Sequence, residues 1–109
     1  MKFDDVVAIL DKSVGGPDAD VASHGPFWRG VTRDRFVDMK VGGRRLVSLG
    51  DGANSNLVLS LKGEAPFGSD LDDPPAGAVT PAMPAYLDPV PADEIKAIEQ
   101  WIDDGCPTD

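Results

Sequence analysis

The chain has little of the chemistry that most enzymes need. Its 109 residues include one cysteine, Cys106, and one histidine, His24. A single cysteine excludes an intrachain disulfide and any cysteine-rich zinc or iron–sulfur site. A nucleophilic pair would require Cys106 beside His24, and no neighbouring residue in the sequence activates either side chain. The sequence therefore contains no catalytic constellation, and we expect a protein that is not an enzyme.

Long apolar runs are also missing. No stretch approaches the roughly 20 residues of a membrane span, and no basic start leads into the apolar stretch of a signal peptide. We therefore expect no association with a membrane and no signal peptide. One unpaired cysteine is compatible with a reducing compartment, so the sequence leaves the bacterial cytoplasm and the periplasm both open.

Positive charge is scarce and unevenly distributed. Lys and Arg number 10 against 19 Asp and Glu, which gives a net charge of −9. A general nucleic-acid binder needs the opposite sign, so we expect no nucleic-acid partner. Eight of the ten basic residues lie before residue 46, and six of these lie in residues 28–45, which we call the basic stretch. The basic stretch predicts a contact surface for a protein partner. Its candidate residues are Trp28, Arg29, Arg33, Arg35, Arg44 and Arg45. The alternative is that basic and acidic faces are merely solvated or pair with each other in the fold.

Glycine and proline are abundant, with 12 and 10 residues. This content predicts short helices joined by long loops rather than a regular sheet. A first helix is predicted from about Lys2 to Lys12, because Phe3, Val6, Val7 and Leu10 form one apolar stripe. A second helix is predicted from a Thr32 cap to Gly42-Gly43, with Leu46 to Leu49 as a short extended run after it.

Two further helices follow in the acidic half. The third is predicted from near Asn54-Ser55 to Gly63. Residues 64–91 form a proline-rich loop, which is long for a compact domain and is a second candidate contact surface. The fourth helix is predicted after Pro91 and before Gly105, because acids at its start complement the helix dipole. Its apolar stripe comprises Ile95, Ile98, Trp101 and Ile102.

Several segments together resemble a known family. They are Ser23-His24-Gly25-Pro26, Gly50-Asp51-Gly52, Pro81-Ala82-Met83-Pro84 and Asp93-Glu94-Ile95-x-x-Ile98-x-x-Trp101-Ile102-Asp103-x-Gly105. In this order they resemble a small class I cytochrome c domain of the type appended to larger bacterial proteins. The resemblance covers nearly the whole chain. It implies an all-α fold, with residues 1–109 as a single cytochrome c-like domain of about four short helices joined by long Gly/Pro-rich loops.

In that family a Cys-x-x-Cys-His motif attaches haem covalently, and a methionine is the distal ligand. The resemblance maps the proximal histidine onto His24 and the distal methionine onto Met83. Asp20 and Ser23 occupy the two cysteine positions, so covalent haem c is excluded. Haem b held non-covalently by His24 and Met83 remains an alternative, and Cu(I) on His24, Met83 and Cys106 is a weaker one.

Two hypotheses follow. The first is a haem-free interaction or accessory module, such as a subunit, lid or docking domain of a larger and possibly redox enzyme. Aromatic side chains would then fill the space left by the porphyrin; the candidates are Phe27, Trp28, Phe36, Phe67 and Tyr86. The second is an electron-transfer or sensor protein that binds haem through His24 and Met83. The replaced cysteine positions favour the first hypothesis, with no cofactor and no metal site.

Overall fold

The apolar stripes of the first and last helices determine where the core lies. The computed structural model describes residues 1–19, 26–41, 43–83 and 89–108. Helix α1 spans Phe3–Ser13 and buries Phe3, Val6, Ile9 and Leu10. At its start the Lys2 backbone N–H donates to the Asp5 carboxylate at 2.8 Å, which satisfies one of the unbonded amides of the helix N-terminus. The first predicted helix is confirmed within one residue at each end.

Helix α2 is shorter than the sequence predicts. It spans Arg33–Asp38, and the Thr32 hydroxyl accepts a hydrogen bond from the Arg35 backbone N–H at 3.2 Å, so the predicted cap is confirmed. The predicted end at Gly42-Gly43 is wrong, because Met39 is already extended. Strand β1, Lys40–Val41, instead pairs antiparallel with strand β2, Arg44–Arg45. Gly43 has φ +78° in the turn between them, a conformation that glycine adopts without strain.

A buried serine organises the turn before the third helix. A 3-10 turn spans Gly52–Asn54, and helix α3 spans Asn56–Lys62. The Ser55 hydroxyl accepts from the Ser48 backbone N–H at 2.8 Å and donates to the Asp51 carbonyl at 3.0 Å. The Ser55 hydroxyl thus stabilises the preceding turn and does not cap α3 through its side chain. Gly63 ends the helix with φ +71°, as predicted.

Helix α4 spans Ala92–Asp103 and buries all four residues of its predicted stripe. The 3-10 turn lies so close to it that a Cβ on Gly52 would meet the Glu99 carbonyl. Gly52 donates its backbone N–H to the Asp103 carboxylate at 2.7 Å. Glycine is therefore required at position 52 by the close approach of two backbones.

An aromatic cluster joins three helices across the core. The Phe36 ring centroid lies 5.2 Å from that of Phe3 and 6.3 Å from those of Phe27 and Trp101, and Phe27 packs edge-on against Trp28. Of the predicted core aromatics, three therefore come together, while Tyr86 lies outside the described residues. Such ring pairs stabilise a fold beyond the burial of their area.

The architecture is a small, compact and mainly helical domain. Within the described ranges it has four α-helices, one 3-10 turn and a two-stranded hairpin, with a radius of gyration of 12.9 Å. That radius is typical of a single packed domain of this length. The expectation of short helices joined by loops is confirmed, and the hairpin is the departure from an all-α chain.

Candidate functional site

Two members of the basic stretch are structural. Trp28 is only 1% exposed, and its indole N–H donates to Asp11 Oδ1 at 2.7 Å. Arg29 donates to the same oxygen at 2.7 Å and to the carbonyls of Gly16 and Ala19. Burial disfavours ionisation of Asp11, but the hydrogen bonds from Trp28 and Arg29 and the arginine charge outweigh it, so the pKa of Asp11 is lowered. Trp28 therefore offers no side-chain surface to a partner, and the Arg29 guanidinium is bonded to groups within the fold.

Arg33 is likewise bonded to groups within the fold. Its Nε donates to the Cys106 carbonyl and its Nη2 to the Gly105 carbonyl, both at 2.6 Å. The Cys106 thiol beneath this turn is fully buried, and burial raises its pKa to about 11 despite the nearby Arg33 charge. The arginine thus anchors the chain after α4 and is not a free cation for a partner.

The remaining basic residues lie at the surface. Arg35, Lys40, Arg44 and Arg45 are all exposed. Lys40 and Arg45 are directly opposite each other across β1 and β2, and Arg45 also lies 3.5 Å from the exposed Asp38 carboxylate. Like charges at opposed strand positions are destabilising. We call the exposed side chains of Lys40, Arg44 and Arg45 the basic hairpin. Lys40 lies in the predicted basic stretch 28–45, but its position opposite Arg45 depends on strand pairing that the sequence did not reveal.

An apolar surface adjoins the basic hairpin. The Arg44 guanidinium carbon lies 6.0 Å from the Phe67 ring centroid, the distance at which a cation and a ring face attract. Phe67 forms a bridge with Thr80, whose neighbour Val79 is 71% exposed. The proline-rich loop therefore reaches the basic hairpin through Phe67. Sequence reasoning did not single out Val79, since one valine among prolines carries no periodic signal.

The residues predicted to hold haem are only half described. His24 lies outside the described residues. Met83 is half-buried against the core, and its backbone N–H donates to the Ser60 carbonyl at 2.9 Å. This hydrogen bond places the Met83 backbone against α3.

One cavity lies between the end of α1 and the start of α4. Its volume is about 300 Å³, and it is lined by Ile9, Lys12, Ser13, Val14, Gly15, Pro89, Val90, Pro91 and Glu94. This volume is at the lower end of ligand-sized pockets, roughly 300–1,000 Å³. The Lys12 ammonium bonds Glu94 Oε2 at 2.6 Å, and Glu94 Oε1 is buried without a hydrogen-bond partner. Neither Met83 nor the basic hairpin lines this cavity.

Metal ligands do not gather in the part of the chain that the structure describes. There, no three His, Cys, Asp or Glu side chains form a group able to hold a metal ion. Asp70 of the proline-rich loop accepts a hydrogen bond from the Ala82 backbone N–H at 2.7 Å. Nor is any helix among the described residues long and apolar enough to cross a membrane.

The comparisons with known proteins place no relative beside this chain. No protein-family model, no curated protein and no solved structure matches it.

Proposed function

We propose that this protein is a cytochrome c-like interaction module that carries no haem and docks on a larger protein through the basic hairpin. The proposal unites the resemblance of the sequence, with its replaced attachment cysteines, and the exposure of one group of cations. Its role is that of an accessory subunit or docking domain rather than an enzyme.

One observation carries the proposal: some residues of the basic stretch are bonded within the fold, whereas others are exposed on one hairpin. Arg29 and Arg33 are half-buried, and each bonds two backbone carbonyls. Lys40, Arg44 and Arg45 are exposed on one hairpin, where Arg45 bonds the Val47 carbonyl at 3.2 Å and stays exposed. Lys40 and Arg45 are held opposite each other, and the exposed Asp38 carboxylate lies 3.5 Å from Arg45. An acidic partner would relieve this repulsion, and the field of a local basic surface on a protein of net charge −9 would orient that partner during encounter.

The test is a quantitative capture experiment in extracts of the native host. Immobilised wild-type protein is compared with Lys40→Glu/Arg45→Glu and with Lys96→Glu, a charge reversal on the exposed side of α4. We expect one protein to be retained in stoichiometric amount by the wild type and by Lys96→Glu, and to be lost with the hairpin variant. Equal retention by all three, or no stoichiometric partner, would overturn the proposal.

The haem alternative has a separate test. The purified protein is titrated with haem in both oxidation states and followed by its visible spectrum, beside His24→Ala and Met83→Ala. We expect no saturable Soret shift, with helical circular dichroism retained. A stoichiometric shift that is lost in His24→Ala would overturn the haem-free module and establish non-covalent haem binding instead.

A further inference from the structure

The basic hairpin and the proline-rich loop form one continuous surface of mixed chemistry. Arg44 belongs to β2, and its guanidinium lies over Phe67 of the loop. The backbone N–H groups of Val79 and Thr80 both donate to the Pro66 carbonyl, at 2.9 and 3.1 Å, so the loop strand with the exposed valine is fixed beside Phe67. We call Val79 and Phe67 the apolar step.

The hairpin and the loop carry opposite charges. The basic hairpin has exposed cations, whereas the loop that carries the apolar step has the exposed acids Glu64, Asp72 and Asp73. Acids of a partner would be attracted by the hairpin and repelled by the loop carboxylates. The surface is therefore complementary to a segment that places its acids on the hairpin and its apolar group on the loop.

We propose that the docking segment of the partner is an acidic peptide stretch that ends in an apolar side chain. Its carboxylates contact Lys40, Arg44 and Arg45, and its apolar side chain covers the exposed Val79 beside the half-buried Phe67. This inference rests on the proposed function and adds the chemistry of the partner. Arg44 connects the two halves, because its guanidinium can pair with a carboxylate while it lies over the ring.

The exposure of Val79 supports the apolar half of the proposal. Apolar side chains exposed singly are common at protein surfaces and need no explanation. Val79, however, lies next to Thr80, whose backbone forms a β-bridge with that of Phe67, and the Phe67 ring lies near the exposed Arg44. Aromatic and arginine side chains are enriched at protein interfaces. The combination fits a small contact centre surrounded by charge.

The test uses labelled synthetic peptides and fluorescence anisotropy. The probe has a run of glutamates followed by one leucine, and two matched peptides replace the leucine with serine or the glutamates with glutamines. We expect the full probe to bind the wild-type protein, with affinity falling about tenfold between about 50 and about 300 mM NaCl. Each matched peptide should bind at least about fivefold more weakly.

Variants of the protein assign the two halves of the surface. We expect Arg44→Glu and Val79→Ser each to weaken binding of the probe at least about fivefold. Lys96→Glu and Leu49→Ser are the controls, since they change an exposed cation and an exposed apolar residue elsewhere. All four positions are at the surface, and circular dichroism checks that each variant is folded.

Three results would overturn the inference. Equal binding of the serine peptide, or no effect of Val79→Ser, would reduce the surface to a cationic patch. Tighter binding of a single-stranded oligonucleotide than of the probe would assign the patch to polyanions in general. Absence of probe binding, with hairpin-dependent capture of a host protein intact, would reject this docking chemistry while leaving the proposed function standing.

Discussion

Arg33, at the start of α2, holds the turn that follows α4 by donating to two successive carbonyls, those of Gly105 and Cys106, at 2.6 Å each. The contact joins residues more than seventy positions apart in sequence. Trp101 adds a second anchor, since its indole N–H donates to the Pro107 carbonyl at 2.9 Å. The end of α4 is thereby fixed to the basic stretch.

Replacing Arg33 with alanine should destabilise the protein. The two bonds come from a charged donor and are partly buried, so we expect a loss of roughly 1.5–3 kcal/mol in the free energy of unfolding. Urea denaturation measures it. Arg35→Ala, which removes an exposed cation of the same helix, is the matched control and should change stability by less than about 0.5 kcal/mol. Equal effects of the two variants would contradict the anchoring role.

Asp11→Asn should alter stability in acid. The lowered pKa of Asp11 means that the unfolded chain binds its proton more tightly than the folded chain. Its contribution is therefore present above the ordinary value of 3.8 and is lost as pH falls through the folded pKa. We expect urea midpoints of wild type and variant to differ most at neutral pH and to converge in acid. Asp72→Asn, in an exposed loop position, is the matched control and should keep a urea midpoint close to that of the wild type at neutral pH.

Cys106 should confer an alkaline loss of stability. Burial raises the pKa of this thiol from 9.0 to about 11. The folded chain binds the thiol proton more tightly than the unfolded chain does. The contribution of the thiol to the free energy of unfolding is therefore fully present below about pH 9 and is lost as pH rises toward 11. The difference in urea midpoints between the wild type and Cys106→Ala should shrink or change sign across that window.

A thiol reagent provides an independent check of the burial of Cys106. At pH 8 it should label the native protein far more slowly than the unfolded chain, and equal labelling rates would disprove the burial.

Gly52→Ala should be costly although it adds only a methyl group. The new Cβ would collide with the Glu99 carbonyl, a backbone atom that cannot rotate away. We expect a destabilisation of roughly 1–3 kcal/mol, measured by thermal or urea unfolding. Ala53→Ser, at the exposed neighbouring position, is the control. A stability near that of the wild type would show that the 3-10 turn and α4 can separate without penalty.

Lys40→Glu should stabilise the protein while weakening its binding. The change turns a like-charge cross-strand pair with Arg45 into an attractive one, and we expect a gain of roughly 0.2–1 kcal/mol at low salt. Lys96→Glu makes the same change in net charge without that relief. High salt should remove the gain. A loss of stability in Lys40→Glu at low salt would argue against repulsion across the hairpin.

The local sequence patterns determined most of the helices but not the hairpin. Periodic apolar residues predicted α1 and α4, and Thr32 and Gly63 acted as the predicted cap and stop. The hairpin was missed because Gly42-Gly43 signals a helix end and a tight strand turn equally well. Two-residue strands contain too few positions for an alternating pattern to be recognised.

The candidate surface was predicted only in part. Charge clustering indicated the basic stretch, but nothing local in the sequence separates Arg33, bonded to distant carbonyls, from the exposed Arg35. That difference arises from tertiary contacts with residues after α4. The contribution of Phe67 and Val79 likewise depends on how the loop packs beside β2.

Arg29 has a consequence for how the chain tolerates change. Its side chain bonds the Ala19 carbonyl, and its backbone N–H bonds the Pro26 carbonyl at 3.0 Å. Arg29 therefore forms hydrogen bonds with the carbonyls of both Ala19 and Pro26. Arg29→Ala would remove the side-chain donor to Asp11, Gly16 and Ala19 in one step, so truncation at position 29 should cost more stability than truncation of the exposed Arg35.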